Sequence, residues 1–234
     1  TDLTYVQGLI VAWLSYTLFT MYSGSRGVIL TDTIMFLLFT IASTAATVFL
    51  VKELGGVPAI VEELVKIEEK TDLMSWHGMV GPGTEWPTPM DYLIWAIVID
   101  ISWMLVYMVS PWQSSRHQMA RNEHVVLRSA VIAALFVVAL QVLVYGMGGI
   151  INIGNPTIVP PESATIWASL HMLPKILGAL MLAGIMAAVL SSASTFLSLV
   201  GFSVSNDIGI HKTGDEAKTL RFSRIMMLVV GALA

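Results

Sequence analysis

Residues 187–198 read AAVLSSASTFLS and put five hydroxyls, Ser191, Ser192, Ser194, Thr195 and Ser198, into an otherwise apolar run. Oxygen donors at helical spacing suit a hard cation such as sodium, which takes several oxygen ligands at about 2.4 Å. The Ala188 carbonyl, Ser191 Oγ and Ser192 Oγ fall within one turn and could converge on one ion. A packing seam competes with this reading. Ala179, Ala183, Ala187, Ser191 and Thr195 recur at spacing four, with Gly184, Ala188 and Ser192 in the next row. Such rows let membrane helices approach closely. The seam explains the alanines, but alanine packs as closely as serine without a polar group, so the hydroxyls are left over.

Two acids sit in apolar surroundings. Asp32 lies about five residues into a run starting near residue 28, roughly 7 Å deep at 1.5 Å per residue. As part of LTDT it also fits a helix N-cap, where an acid favours the dipole. Asp100, in WAIVIDISWMLVYMVSPW, falls near the bilayer midplane. A carboxylate there costs at least ~2.5–3.5 kcal/mol and must face protein or water. It could hold a cationic part of a solute, carry a proton, or be neutralised by a partner. Trp103 and Tyr107 follow one and two turns on. His117, Arg121 and the run HKTGDEAK read as solvated loop, and His171 as interfacial.

The elements that must position these groups are membrane helices. The 234 residues are 56% hydrophobic and 12% charged, with a mean hydropathy of +0.77, outside the soluble range. Apolar runs at about 4–22, 28–51, 91–112, 127–148, 174–203 and from 222 onward each approach the roughly 20 residues a span needs. Lipid satisfies no open sheet edge, so the fold is expected to be an all-α, multi-span bundle. We expect one transmembrane domain over 1–234, a fragment of a longer, transporter-sized chain. Cysteine is absent, which excludes disulfides and thiolate metal sites within it.

Charge orients the spans. Arg26, Arg116, Arg121, Arg128, Lys212, Lys218, Arg221 and Arg224 fall between alternate spans, and the positive-inside rule places those segments in the cytoplasm. The opposite loops carry seven acids, Glu53 to Glu85, against Lys52, Lys66, Lys70 and Lys175. Within the long loop 52–90, Pro58 and the spacing of Ile60, Val61, Leu64 and Ile67 predict a short amphipathic surface helix. PESATIWASLHML predicts another before Pro174. Trp86, Tyr92, Trp95 and Trp167 fall where an interfacial aromatic belt belongs.

Three stretches, in order and in register, resemble the sodium/solute symporter family. LPKILGALMLAGIMAAVLSSASTFLSLVGFSVSNDIG resembles its small-residue helix with a Ser-Ser/Thr pair and a closing Asp-Ile. YSGSRGVILTDTIMF resembles its Tyr-x-x-Gly-Gly motif, departing at Ser23 and Met35, and SPWQSSRHQMARNE its Pro-to-Arg motif at the inner end of a span. The resemblance implies part of a five-plus-five inverted-repeat, leucine-transporter-type fold in the plasma (inner) membrane. It implies sodium as the coupled ion and a small organic solute moved by alternating access, with the lipid bilayer and the remaining helices of the transporter as partners and no nucleic acid. It also implies a main sodium site at Ala188, Ser191 and Ser192, and a second between Asp32, Ser194 and Thr195, as in some members. Trp103 and Tyr107 would line the solute cavity, beside Asp100. The alternatives are an intramembrane serine protease, with Ser191 or Ser192 as nucleophile and His171 as base, and a non-transporting structural bundle. Continuous helix would set His171 roughly 30 Å from the serines, so no enzyme is expected.

Overall fold

A computed structural model describes residues 4–70, 73–74, 80–82, 85–207 and 216–233. The described secondary structure is helical, with one isolated bridge between Val80 and Trp86. In chain order the helices are α1 (Tyr5–Glu53), α2 (Val57–Val65), α3 (Pro89–Val109), α4 (Pro111–Gln118), α5 (Glu123–Gly154), α6 (Ala164–His171), α7 (Lys175–Asp207) and α8 (Glu216–Leu233). Among the described residues, four segments are long and apolar enough to cross a membrane: Gly27–Glu53, Pro89–Val109, Glu123–Gly154 and Lys175–Ser205. The chain is thus a multi-span helical membrane protein.

One expectation needs correction. A loop around Arg26 was expected to part the first two spans, yet α1 runs unbroken from Tyr5 to Glu53. No proline interrupts residues 22–28, and isolated glycines are tolerated within a helix. Asp32 is therefore deep inside α1 and not at an N-cap. Its neighbours Thr31 and Thr33 donate to the carbonyls of Gly27 and Ile29, one turn back, at 2.8 and 2.9 Å.

The chain divides into two compact units, with α1 and α7 contributing to both. Unit 2, residues 40–183, opens on the end of α1, where Ala42, Ser43 and Ala46 are fully buried. Ser43 Oγ points at Met181 Sδ of α7, 3.9 Å away. The helix then ends on Gly-Gly. Gly55 and Gly56 have φ of 84° and 96°, a left-handed conformation that costs glycine no Cβ clash. Gly56 N donates to Val51 O and Gly55 N to Lys52 O, which is a Schellman cap. Pro58 in the first turn starts α2, and Ile60 and Leu64 are its buried face, packed against α5. The helix expected between Pro58 and Ile67 is present.

Beyond α2, Lys70 Nζ donates to Asn152 Oδ1 at 2.6 Å, tying the loop to the far end of α5. Thr88 and Asp91 form a reciprocal capping box ahead of α3. Ser110 is extended before Pro111, as its position requires, and this corner turns α3 into α4. Asn122 Oδ1 caps α5 by accepting from Val125 N at 3.0 Å. The expected 149–173 helix appears as a 3-10 turn, Pro161–Ser163, followed by α6. Gly178 of α7 packs so closely on the Ser169 carbonyl of α6 that a Cβ would overlap it.

Unit 1 comprises residues 1–39 and 184–234. Small residues set its helix contacts. Gly201 of α7 takes the Met227 side chain of α8, and Gly231 lies against Thr17 of α1 and Leu197 of α7. The Trp13 indole N–H donates to the Gly231 carbonyl, and the Arg224 guanidinium stands 5.7 Å over the Tyr22 ring. Glycine at such contacts lets helices close to van der Waals distance without a hydrophobic driving force between them.

Candidate ion-binding site

The hydroxyls of α7 divide by what they bond. Ser192 Oγ donates to Ala188 O at 3.3 Å, Ser194 Oγ to Ser191 O at 3.0 Å and Ser198 Oγ to Thr195 O at 2.8 Å. These three return to their own helix, and a hydroxyl satisfied in this way packs almost as an apolar group. Thr20 on Tyr16 O and Ser223 on Thr219 O do the same on α1 and α8. Ser191 and Thr195 behave differently. Ser191 Oγ donates to Asp32 Oδ1 at 2.6 Å and Thr195 Oγ1 to Asp32 Oδ2 at 3.2 Å. Four residues apart, they present both hydroxyls from one face of α7 to one carboxylate on α1.

Burial follows the same division. Ser194, Thr195 and Ser198 are buried, Asp32 and Ser191 are half-buried, and Ala188 and Ser192 are exposed. The buried stripe of α7 runs through Met181, Gly184, Ala187, Ser194, Thr195, Ser198, Gly201 and Ser205. Ala179 and Ala183, in the spacing-four row, are exposed. Four residues turn a helix about 400°, so such a row drifts about 40° per step, whereas a straight stripe alternates threes and fours.

Of the first expected oxygen set, Ala188 and Ser192 remain together while Ser191 turns to Asp32. Of the second, Thr195 meets Asp32 and Ser194 bonds the Ser191 carbonyl. The structure thus groups Asp32, Ser191 and Thr195. Sequence reasoning had both α7 residues but assigned them to different sets, because their common partner lies some 160 residues away. The signal was the i, i+4 spacing itself.

The oxygen spacings are close to those a hard cation would require. Oxygens sharing one ion at about 2.4 Å and at right angles sit about 3.4 Å apart. Thr195 at 3.2 Å from the carboxylate is nearly there, whereas Ser191 at 2.6 Å must withdraw by somewhat under an ångström. A hydroxyl can keep its proton on a carboxylate and turn a lone pair to the ion.

In unit 2, Asp100, Trp103 and Tyr107 follow one another at helical spacing on α3, all exposed. The Trp103 and Tyr107 ring centroids are 6.0 Å apart, and Tyr107 stacks on Trp112 at 5.5 Å. No residue of α3 is buried. His171, the base required by the protease alternative, stacks on Trp167 at 4.8 Å, with Nδ1 2.9 Å from the Trp167 carbonyl. Ser191 gives its proton to a carboxylate and not to an imidazole.

Comparison with known proteins places the chain in a family. No solved structure matches the chain. The Sodium/pantothenate symporter of Escherichia coli (strain K12) is 23% identical over 236 residues, covering 98% of this chain and 46% of that protein. The chain therefore spans about half the length of the curated relative it matches. The description of the Sodium:solute symporter family matches residues 1–234, from end to end. With that match over its whole length, the chain belongs to the sodium:solute symporter family.

Proposed function

We propose that this chain is part of a sodium-coupled symporter that carries a small organic solute through the plasma membrane by alternating access, within a five-plus-five inverted-repeat fold. Family membership supports the coupled transport, and the named relative is itself a sodium symporter. The observation that carries the ion assignment is the Asp32 carboxylate bracketed by Ser191 and Thr195. Asp32, Ser191 and Thr195 are the proposed sodium ligands. Ser194, whose hydroxyl donates to the Ser191 carbonyl, is proposed to support them, and Ala188 with Ser192 to form a secondary oxygen pair. Asp100, Trp103 and Tyr107 are proposed to face the solute, because a carboxylate and two rings exposed on one membrane-capable helix need polar company.

Uptake by the full-length protein in proteoliposomes, over a panel of labelled solutes with sodium or with choline outside, tests the reading. Accumulation of one solute only with sodium supports it. Equal uptake without sodium, or none for any solute class, removes it.

A further inference from the structure

We propose that the corner formed by α3, α4 and α5 binds an anionic glycerophospholipid of the cytoplasmic leaflet. A cavity of about 670 Å³ lies there, entirely within unit 2. Its lining combines basic and apolar side chains. Gln113, Arg116 and His117 of α4 form one wall, and among the described residues no acidic side chain lines it. Met104, Tyr107 and Met108 of α3 and Ala130 and Ala133 of α5 supply the apolar part of the lining.

Depth selects the ligand. Along α5 the lining runs from Val126 to Ala133, about 10 Å at 1.5 Å per residue. Headgroup layers are about 5–7 Å thick on each side of the hydrocarbon, so a slot of this length opening at the interface would extend past the headgroups to the acyl chains. The basic wall belongs to the loop that the distribution of Arg and Lys assigns to the cytoplasm. Basic pockets between membrane helices on that side suit anionic headgroups. A soluble anion would use the basic wall and leave the methionine–alanine wall against water, whereas a phospholipid fills both. Small Ala130 and Ala133 leave the room a chain needs.

The proposal is independent of which residues bind sodium, and its test reads lipid and not transport. The full-length protein is equilibrated in mixed micelles of phosphatidylglycerol and phosphatidylcholine, repurified, and its retained lipid quantified. Wild type should retain phosphatidylglycerol selectively. Arg116→Gln should lower that retention about five-fold, the worth of one basic residue at an anionic surface. Ala133→Phe, which fills the apolar end and leaves the charges alone, should lower retention of phosphatidylglycerol as well. Arg121→Gln, in the same loop but off the lining, should not. Equal losses for Arg116→Gln and Arg121→Gln would mean diffuse surface charge and overturn the site. Unchanged retention in Ala133→Phe, or full displacement by inorganic phosphate, would overturn the lipid as its occupant.

Discussion

If Asp32, Ser191 and Thr195 hold the ion, replacing the α7 hydroxyls one at a time should give graded effects that a packing seam cannot. Ser191→Ala removes the shortest of the contacts, 2.6 Å to Asp32 Oδ1, in the range of charge-assisted O–H···O⁻ bonds. Such bonds are worth about 1.5–3 kcal/mol. Part of that is lost from the ion-free state too, so only the difference reaches the sodium affinity. A net of about 1–2 kcal/mol shifts the half-saturating sodium concentration roughly five- to thirty-fold. Thr195→Val keeps the shape and removes a longer bond, 3.2 Å, so about two- to ten-fold is expected. Ser192→Ala and Ser198→Ala remove hydroxyls that bond their own helix and should stay within about two-fold of wild type.

Two readouts on the full-length protein check this series: sodium titration of solute uptake, and the sodium-induced rise in melting temperature, which reports binding without transport. Coupling requires the same order in apparent solute affinity at fixed sodium. The decisive comparison is Ser192 with Thr195. A large shift for Ser192→Ala and none for Thr195→Val would move the ion to Ala188, Ser191 and Ser192 and refute the Asp32-centred cluster. Four unchanged titrations would leave only packing.

Other perturbations test other parts. Asp100→Asn should alter solute affinity or the pH dependence of uptake with expression intact; identical pH profiles would make Asp100 structural. Gly178→Ala should lower the melting temperature, since its Cβ would overlap the Ser169 carbonyl and overpacking costs about 1–3 kcal/mol. Gly146→Ala on α5, with open space around it, should be neutral or stabilise by up to ~1 kcal/mol; equal melting of the two variants would refute the close contact. A cysteine at Glu68, within a stretch of 234 residues that holds no other, should react with an impermeant maleimide in intact cells once any cysteines elsewhere in the full-length protein are replaced, and reaction only after permeabilisation would invert the proposed orientation.

Local chemistry was readable from the residues, and partnership across the chain was not. Pro58 with Ile60 and Leu64 announced α2 because periodicity and a first-turn proline act within one helix. PTPMD carried the Thr88–Asp91 capping box in plain spacing, although it was not drawn from the sequence. The continuity of α1 was missed because Gly24, Arg26 and Gly27 look like a loop by residue type. The grouping of Asp32 with Ser191 and Thr195, and the Lys70–Asn152 tie, depend on which helices meet. The i, i+4 spacing of Ser191 and Thr195 shows that they share a face of α7, but not which helix that face meets.

The regrouping changes the physics of the site. Ala188 O, Ser191 Oγ and Ser192 Oγ are neutral dipoles, and a cation among them exchanges water dipoles for protein dipoles with no net charge to favour it. Asp32 adds a formal charge. Contact at about 2.4 Å is worth roughly 7 kcal/mol at an effective dielectric constant of 20, set against the dehydration of ion and carboxylate. Ser191 and Thr195 solvate the carboxylate without cancelling its charge. If Asp32 holds the ion, the two hydroxyls would lower the cost of keeping an acid within a membrane helix while leaving it able to attract a cation. On the proposed ion assignment, hydroxyls rather than alanines are required at 191 and 195, both of which bond Asp32.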